Sequence, residues 1–204
     1  MFIGKYNKSV ILTYIGIAAA VLGIYFSFVK NIRYTLLCLI ICGVCDLFDG
    51  AVARKCKRTE EEKLFGIEID SLADIMNFVA LPIAIFCGMG LTSLYNIIIY
   101  VVYALAAVTR LAYFNVNAKK SGTETPLKYY TGLPVTFSAL IFTIFWFLNF
   151  YISEESFNVV YSLLMLVVAL LFVLKIKVPK PKGAAYVVFA LIAVAVSCFI
   201  IFSG

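Results

Sequence analysis

The stretch that decides the fold is residues 46–74, DLFDGAVARKCKRTEEEKLFGIEIDSLAD. It carries four aspartates within two otherwise apolar segments, and each would cost about 2.5–3.5 kcal/mol at the centre of a membrane helix. Asp46 and Asp49 are spaced i, i+3, and Asp70 and Asp74 are spaced i, i+4, so each pair projects from one helical face. If the two helices are antiparallel neighbours, the two pairs lie at the same depth.

The composition around this stretch is that of a membrane protein. Of 204 residues, 64% are hydrophobic and 14% charged, with a mean hydropathy of +1.03, whereas a soluble domain is about a quarter charged. Apolar stretches of about 20 residues are long enough to cross a bilayer. Seven are found, at about 9–29, 33–53, 65–88, 93–116, 133–152, 157–175 and 184–203. We therefore predict an all-α, polytopic integral membrane bundle of about seven transmembrane helices, forming one domain over residues 1–204.

The basic residues predict the orientation of the bundle. Fourteen of the 17 lysines and arginines flank the N-terminus and alternate connections on one side, two (Lys30 and Arg33) lie on the other side, and Arg110 lies inside a stretch. Loops rich in basic residues stay in the cytoplasm. We expect a cell-membrane protein with its N-terminus and its aspartates facing the cytoplasm. The net charge of +6 is then explained by the basic residues of the cytoplasmic loops, and it does not indicate a nucleic-acid partner.

The residue types near the aspartates define the chemistry of the site. The chain has no histidine, which excludes Ser-His-Asp hydrolysis and His-ligated zinc. Carboxylates alone form an all-oxygen site suited to Mg²⁺ or Mn²⁺, and two such cations about 3.5–4 Å apart can clamp a diphosphate. Gly50 and Ala53 leave room on the face of the first aspartate pair. Arg54, at the membrane edge, can bind phosphate oxygens.

Written as a pattern, these residues are Asp46-x2-Asp49-Gly50-x2-Ala53-Arg54-x11-Gly66-x3-Asp70-x3-Asp74. The pattern resembles the signature of the CDP-alcohol phosphatidyltransferases, integral membrane enzymes that move a phosphatidyl group from a CDP-linked lipid to an alcohol. The spacer of eleven residues between Arg54 and Gly66 is longer than the family's usual eight or so, and the extra residues fall in the polar segment 59–63. The resemblance covers about residues 10–182. The last helix, 184–203, carries no recognised motif.

Further segments are similar to the phosphatidylserine synthase branch of that family. They are Asp70-Ser71-Leu72-Ala73-Asp74, the run from Arg110 to Asn115 (RLAYFN) and Gly132-Leu133-Pro134. This resemblance implies transfer to L-serine from CDP-diacylglycerol or an ether-lipid equivalent, CMP as the other product, direct displacement assisted by two divalent cations, and a homodimer.

The resemblance also implies roles for individual residues. Asp46, Asp49 and Asp70 are expected to bind metal, and Asp74 to activate the acceptor hydroxyl while also contacting a metal. The residues expected to bind the CDP-linked lipid are Asp49, Gly50, Ala53, Arg54 and Gly66. Arg110 is the best candidate to bind the carboxylate of serine, because it is a lone arginine inside an apolar stretch, one or two turns from the expected cytoplasmic end. The alternative is that it snorkels to the interface or forms an ion pair between helices. Asn77, three residues after Asp74, is expected on the same face, where it contacts either serine or a neighbouring helix.

Three other functions fit the sequence less well. A related transferase would use glycerol 3-phosphate or inositol as acceptor. An intramembrane prenyltransferase would also use aspartates and Mg²⁺, but it releases pyrophosphate. A cation transporter predicts acidic residues at the bilayer midplane and broken helices there, whereas these four aspartates lie at one end of their helices.

Overall fold

The computed structural model describes residues 3–120, 129–179 and 184–202. Within these ranges the chain is almost entirely helical. The α-helices, in chain order, are α1 (Ile11–Phe28), α2 (Ile32–Lys55), α3 (Glu60–Ile75), α4 (Leu81–Gly88), α5 (Leu94–Lys120), α6 (Phe137–Trp146), α7 (Glu154–Val173) and α8 (Ala184–Phe202). A π-helical turn, Met76–Ala80, joins α3 to α4, and 3₁₀ turns cover Lys8–Val10 and Phe147–Phe150.

Five helical segments of the described chain are long and apolar enough to cross a membrane. They are Lys8–Phe28, Ile32–Lys55, Glu60–Gly88, Leu94–Asn117 and Glu154–Val173. The two remaining apolar stretches form the shorter helices Phe137–Phe150 and Val187–Phe202. The prediction of an all-α membrane bundle is confirmed, with five of the seven predicted spans present as long helices and two as shorter ones.

Helix α1 packs against α2 through small residues. Gly16, Ala19, Ala20 and Gly23 are buried, while Ala18 is exposed. A Cβ atom added to Gly23 would lie 2.9 Å from the Cβ of Cys38, so the glycine permits the close approach of the two helices. The cysteines on this side of α2 are buried and unpaired, as expected of packing residues.

Helix α3 begins earlier than the apolar stretch 65–88 predicted. The hydroxyl of Thr59 accepts a hydrogen bond from the backbone N–H of Glu62, and the Glu62 carboxylate accepts one from the N–H of Thr59. This reciprocal capping box satisfies two backbone donors at the helix start. The longer spacer between Arg54 and Gly66 is therefore accommodated by a helical turn.

The N-terminal end of α6 differs from the predicted stretch 133–152. Helix α6 begins only at Phe137, because Gly132 adopts a φ of +78° and Pro134 follows it. A Cβ on Gly132 would lie 2.6 Å from the carbonyl oxygen of Phe172, so only glycine fits there. The residues just before it, Tyr129–Thr131 (β1), pair antiparallel with Lys177–Pro179 (β2). An all-helical prediction did not include this short sheet.

Aromatic side chains fill the centre of the bundle. The ring of Phe86 stacks on that of Tyr161 at 4.4 Å and contacts Phe142 edge-on at 5.2 Å, arrangements that add to apolar burial. This cluster fixes α4, α6 and α7 against one another.

Candidate active site

All four aspartates line one cavity, as the sequence predicted. The cavity has a volume of about 300 Å³ and lies between α2, α3, α5 and the start of α6. Asp46 and Asp49 enter it from the last turns of α2, and Asp70 and Asp74 enter it from the second half of α3. The i, i+3 and i, i+4 spacings put each pair on one face, and the α2–α3 turn brings the two faces together.

Three of the carboxylates converge on one point. One oxygen from each of Asp46, Asp49 and Asp70 lies within 4.8 Å of the other two, a spacing compatible with a shared metal ion. Two threonines form hydrogen bonds with the aspartates of α2. The Thr136 hydroxyl donates to Oδ2 of Asp46 at 2.6 Å, and the Thr13 hydroxyl donates to Oδ2 of Asp49 at 3.3 Å. Hydrogen bonds to ligating carboxylates orient them.

Asp74 occupies a separate, deeper position. Its side chain is 9% exposed, and its carboxyl group is close enough to that of Asp46 for the two to interact. It lies outside the group of three whose oxygens converge. Asp74 therefore borders the converging carboxylates on one side and the interior of the cavity on the other.

Arg110 is the buried cation of this cavity. Its side chain is 8% exposed, and its Nε is buried without a hydrogen-bond partner among the described residues. The guanidinium lies 5.6 Å from the ring centroid of Phe114, one turn later on α5. It is close enough to Asp74 and Asp46 for their charges to interact. In the described part of the chain, however, no carboxylate oxygen lies within 4.0 Å of it. The site thus holds a buried cation whose Nε has no partner among the described residues.

The mouth of the cavity carries Gly50 and Arg54. A Cβ added to Gly50 would lie 3.5 Å from Nη1 of Arg54, so the glycine keeps the surface beside this guanidinium open. Arg54 is exposed. On the facing side, the Ser71 hydroxyl and the Asn115 amide are hydrogen-bonded at 2.9 Å and tie α3 to α5. An anionic ligand can therefore approach both the carboxylate cluster and Arg54.

Three of the predicted site residues do not line the cavity. Ala53 lies on α2 outside the lining, and Gly66 faces Arg58, whose Nη1 would lie 3.7 Å from an added Cβ. Asn77 packs its amide against Gly16 of α1 and is 3% exposed, which is the neighbouring-helix contact that the sequence left open beside a serine contact. Asn77 is the second residue of the π-helical turn Met76–Ala80.

Sequence reasoning missed the two threonines and the aromatic lining. Thr136 follows the Gly132-Leu133-Pro134 motif by two residues, and Thr13 lies one turn before Gly16 on the small face of α1. Proximity to those motifs was the only sequence signal for either. Tyr130 and Phe137 also line the cavity, and their contribution depends on the backbone path between β1 and α6.

The sequence was then compared with known proteins. The model of the CDP-alcohol phosphatidyltransferase family matches residues 6–199, which extends the resemblance from residue 182 through most of α8. A relative from Saccharomyces cerevisiae, named CDP-diacylglycerol–serine O-phosphatidyltransferase, is 34% identical over 54% of this chain, and the alignment spans 44% of the relative's length.

Two further relatives align over more of their length. The archaetidylserine synthase of Methanothermobacter thermautotrophicus is 27% identical over 85% of this chain and 70% of its own. A Mycobacterium bovis protein, named CDP-diacylglycerol–serine O-phosphatidyltransferase, is 26% identical over 94% of this chain and 76% of its own. With a family model matching nearly the whole chain and the signature aspartates converging in one cavity, this protein belongs to the CDP-alcohol phosphatidyltransferase family.

Proposed function

We propose that this protein transfers a phosphatidyl group from a CDP-linked lipid to the hydroxyl of L-serine, giving a phosphatidylserine-type lipid and CMP. The observation that carries the proposal is one cavity that holds three converging carboxylates, the adjoining Asp74 and a buried arginine whose Nε has no partner among the described residues. The named activities of the aligned relatives favour serine as acceptor and a CDP-linked diacylglycerol or archaeol as donor.

A divalent cation fits the donor set of the cavity. Asp46, Asp49 and Asp70 supply hard oxygen ligands that already converge, and Asp74 adjoins them, so these four side chains would hold two Mg²⁺ or Mn²⁺ ions. When bound, the cations neutralise the diphosphate and stabilise the departing CMP. Thr136 and Thr13 hold the first pair of carboxylates in place by their hydrogen bonds.

Asp74 is the proposed general base. A serine hydroxyl is a weak nucleophile at neutral pH and must lose its proton as it attacks. The hydroxyl oxygen forms a bond to the phosphorus that carries the lipid, the bond from that phosphorus to the CMP oxygen breaks, and Asp74 receives the proton. This is one direct displacement, and it requires no covalent enzyme intermediate.

Arg110 is the proposed anchor for the carboxylate of serine. A guanidinium can bind a carboxylate through two parallel hydrogen bonds, and the donors of Arg110 have no ion-pair partner in the described residues. Because Arg110 and Asp74 line the same cavity, one serine can present its carboxylate to the first and its hydroxyl to the second.

The CDP-linked lipid is proposed to bind along the face of α2. Asp49, Gly50, Ala53 and Arg54 follow one another on its last turns, and the open surface at Gly50 lets a diphosphate approach the backbone. Gly66 on α3 completes this set at the membrane edge.

We further propose that this end of the bundle faces the cytoplasm, that the lipid enters from the inner leaflet of the cell membrane, and that the protein acts as a homodimer.

The experiment that tests the function is a CMP-release assay on purified protein with CDP-diacylglycerol, Mg²⁺ or Mn²⁺, and separate alcohols. We expect CMP release and a new phospholipid with L-serine and neither with glycerol 3-phosphate or inositol. Activity that depended on one of those two acceptors would reject serine while keeping the family chemistry. Release of pyrophosphate from a prenyl diphosphate would support the prenyltransferase alternative instead.

Arg110→Gln should act on serine selectively. The variant loses a charge-assisted pair, whose hydrogen bonds contribute about 1.5–3 kcal/mol, so we expect KM for serine to rise by about 10- to 100-fold. KM for the CDP-linked lipid should change little. Steady-state kinetics with each substrate varied in turn measures both.

The matched control for Arg110→Gln is Arg33→Gln. Arg33 is exposed and lies on the first turn of α2, at the opposite end of the bundle from the aspartates. It should leave both KM values unchanged. Equal rises in the two KM values of Arg110→Gln would contradict a specific contact with the serine carboxylate.

A further inference from the structure

The helix that carries Asp70 and Asp74 is interrupted one residue after α3 ends. In the π-helical turn Met76–Ala80, the N–H of Leu81 bonds to the carbonyl of Met76, five residues earlier. In a regular α-helix the carbonyl of Phe78 would accept the N–H of residue 82. That residue is Pro82, which has no N–H and whose ring clashes with this carbonyl. The proline accounts for the interruption and leaves the Phe78 carbonyl without its helical donor.

Tyr103 of α5 supplies the missing donor. Its hydroxyl donates to the Phe78 carbonyl oxygen at 2.6 Å, and both residues are fully buried. The ring of Tyr103 is held by Phe142 at 5.9 Å and by Phe172 at 5.5 Å. The phenol therefore couples the interrupted segment to a fixed point on the neighbouring helix.

This bond lies directly behind the proposed site. Phe78 is four residues after Asp74, about one turn farther along the same span, and Tyr103 is seven residues before Arg110 on the same face of α5. Because α3 and α5 run in opposite directions, Phe78–Tyr103, Asp74–Arg110 and Ser71–Asn115 follow one another along the interface. The outer two of these pairs are hydrogen-bonded.

We propose that Tyr103 is a positioning residue that sets the separation of Asp74 from Arg110 through its bond to the Phe78 carbonyl, and thereby the length of the amino-acid acceptor. This inference depends on the proposed function, because it assigns the base and the carboxylate anchor to the same two residues. The distance between the hydroxyl and the carboxylate of serine is expected to match the separation of Asp74 from Arg110. Homoserine is one methylene longer and is expected not to fit. Tyr103 touches neither substrate and acts only through the helix segment that it holds.

The test compares Tyr103→Phe with Tyr161→Phe in the purified full-length protein. Tyr161 is equally buried, and its hydroxyl donates to the Phe142 carbonyl at 2.8 Å, so both variants lose one buried phenol bond to a backbone carbonyl. We expect similar decreases in the unfolding temperature. Only Tyr103→Phe should raise KM for serine, by about tenfold, below the roughly 100-fold that a 1 Å displacement can cost. The Tyr103→Phe variant should also have a smaller ratio of kcat/KM for serine to kcat/KM for homoserine than the wild type. Its KM for CDP-diacylglycerol should be unchanged.

Pro82→Ala combined with Tyr103→Phe separates positioning from stability. The alanine returns an N–H to the Phe78 carbonyl, so the double variant should regain unfolding temperature while its KM for serine stays raised. Recovery of both properties would overturn the proposal, as would a Tyr103→Phe variant whose KM for serine and acceptor preference match the wild type. A wild-type protein inactive with serine but active with another alcohol would instead overturn the proposed function.

Discussion

Asp74→Asn should abolish turnover with serine while the protein still binds the CDP-linked lipid. The substitution keeps the size of the side chain and removes its ability to take the proton of the attacking hydroxyl. Positioned general bases contribute about 10²- to 10⁴-fold to rate, so we expect a loss of that order in kcat. Asp74 lies outside the three carboxylates whose oxygens converge, so those metal ligands and the lipid-binding face of α2 remain. CMP release under saturating substrates measures the first effect, and equilibrium binding of CDP-diacylglycerol measures the second.

The control for this variant is Glu68→Gln, which also neutralises an acid of α3. Glu68 is exposed and does not line the cavity, so its variant should retain wild-type activity. An Asp74→Asn protein that keeps more than a tenth of the wild-type kcat would contradict the role of general base. One that loses lipid affinity as strongly as turnover would assign Asp74 chiefly to metal binding.

The aspartate cluster could be predicted from sequence because its cause is local. Four carboxylates in apolar helices carry a large insertion cost, and the spacing within each pair fixes a helical face. The two faces were expected to meet because a short connection joins the helices. The structure places all four side chains in one cavity and adds that Asp74 is set apart from the other three.

The position of Asn77 could not be predicted in the same way. Its assignment assumed unbroken α-helical phase after Asp74, whereas a π-helical turn begins at Met76, six residues before Pro82. A proline within an apolar stretch signals an interruption. It does not determine whether a kink, a turn or an inserted residue results, because the tertiary partner, here Tyr103, decides which carbonyl is satisfied.

The threonines that bond Asp46 and Asp49 were unpredictable for a different reason. Thr136 is ninety residues from Asp46 in sequence, and their contact depends on the chain reversing at Gly132 and on the pairing of β1 with β2. Strands of three residues carry no periodicity that separates them from loop. The threonines that hold the aspartates in place therefore depend on tertiary contacts. The aspartates themselves could be predicted from their spacing in the sequence.

Asp70→Asn should remove both activity and metal binding. Asp70 is the carboxylate that α3 contributes to the converging group, so its loss leaves Asp46 and Asp49 on one helix with no partner across the cavity. An amide oxygen is a neutral and weaker ligand for a hard cation. Loss of a residue that only hydrogen-bonds to a metal ligand typically lowers metal affinity by about 10- to 100-fold. Because Asp70 is itself a proposed ligand, we expect the affinity for Mn²⁺ to decrease by at least about 100-fold. CMP release should fall below detection. Titration with Mn²⁺ followed by its paramagnetic resonance signal measures binding without turnover.

The comparison with Asp74→Asn makes this prediction specific. Both variants should lose turnover, but Asp70→Asn should lose more Mn²⁺ affinity than Asp74→Asn, because Asp74 lies outside the three carboxylates whose oxygens converge. Glu68→Gln again serves as the control, two residues away on the same helix. If Asp70→Asn bound Mn²⁺ as tightly as the wild type, the cation would have to bind elsewhere. The proposal that the three converging carboxylates hold a metal would then be wrong. Activity restored by excess Mn²⁺ would instead show that Asp70 contributes affinity alone, with its geometry dispensable for the displacement.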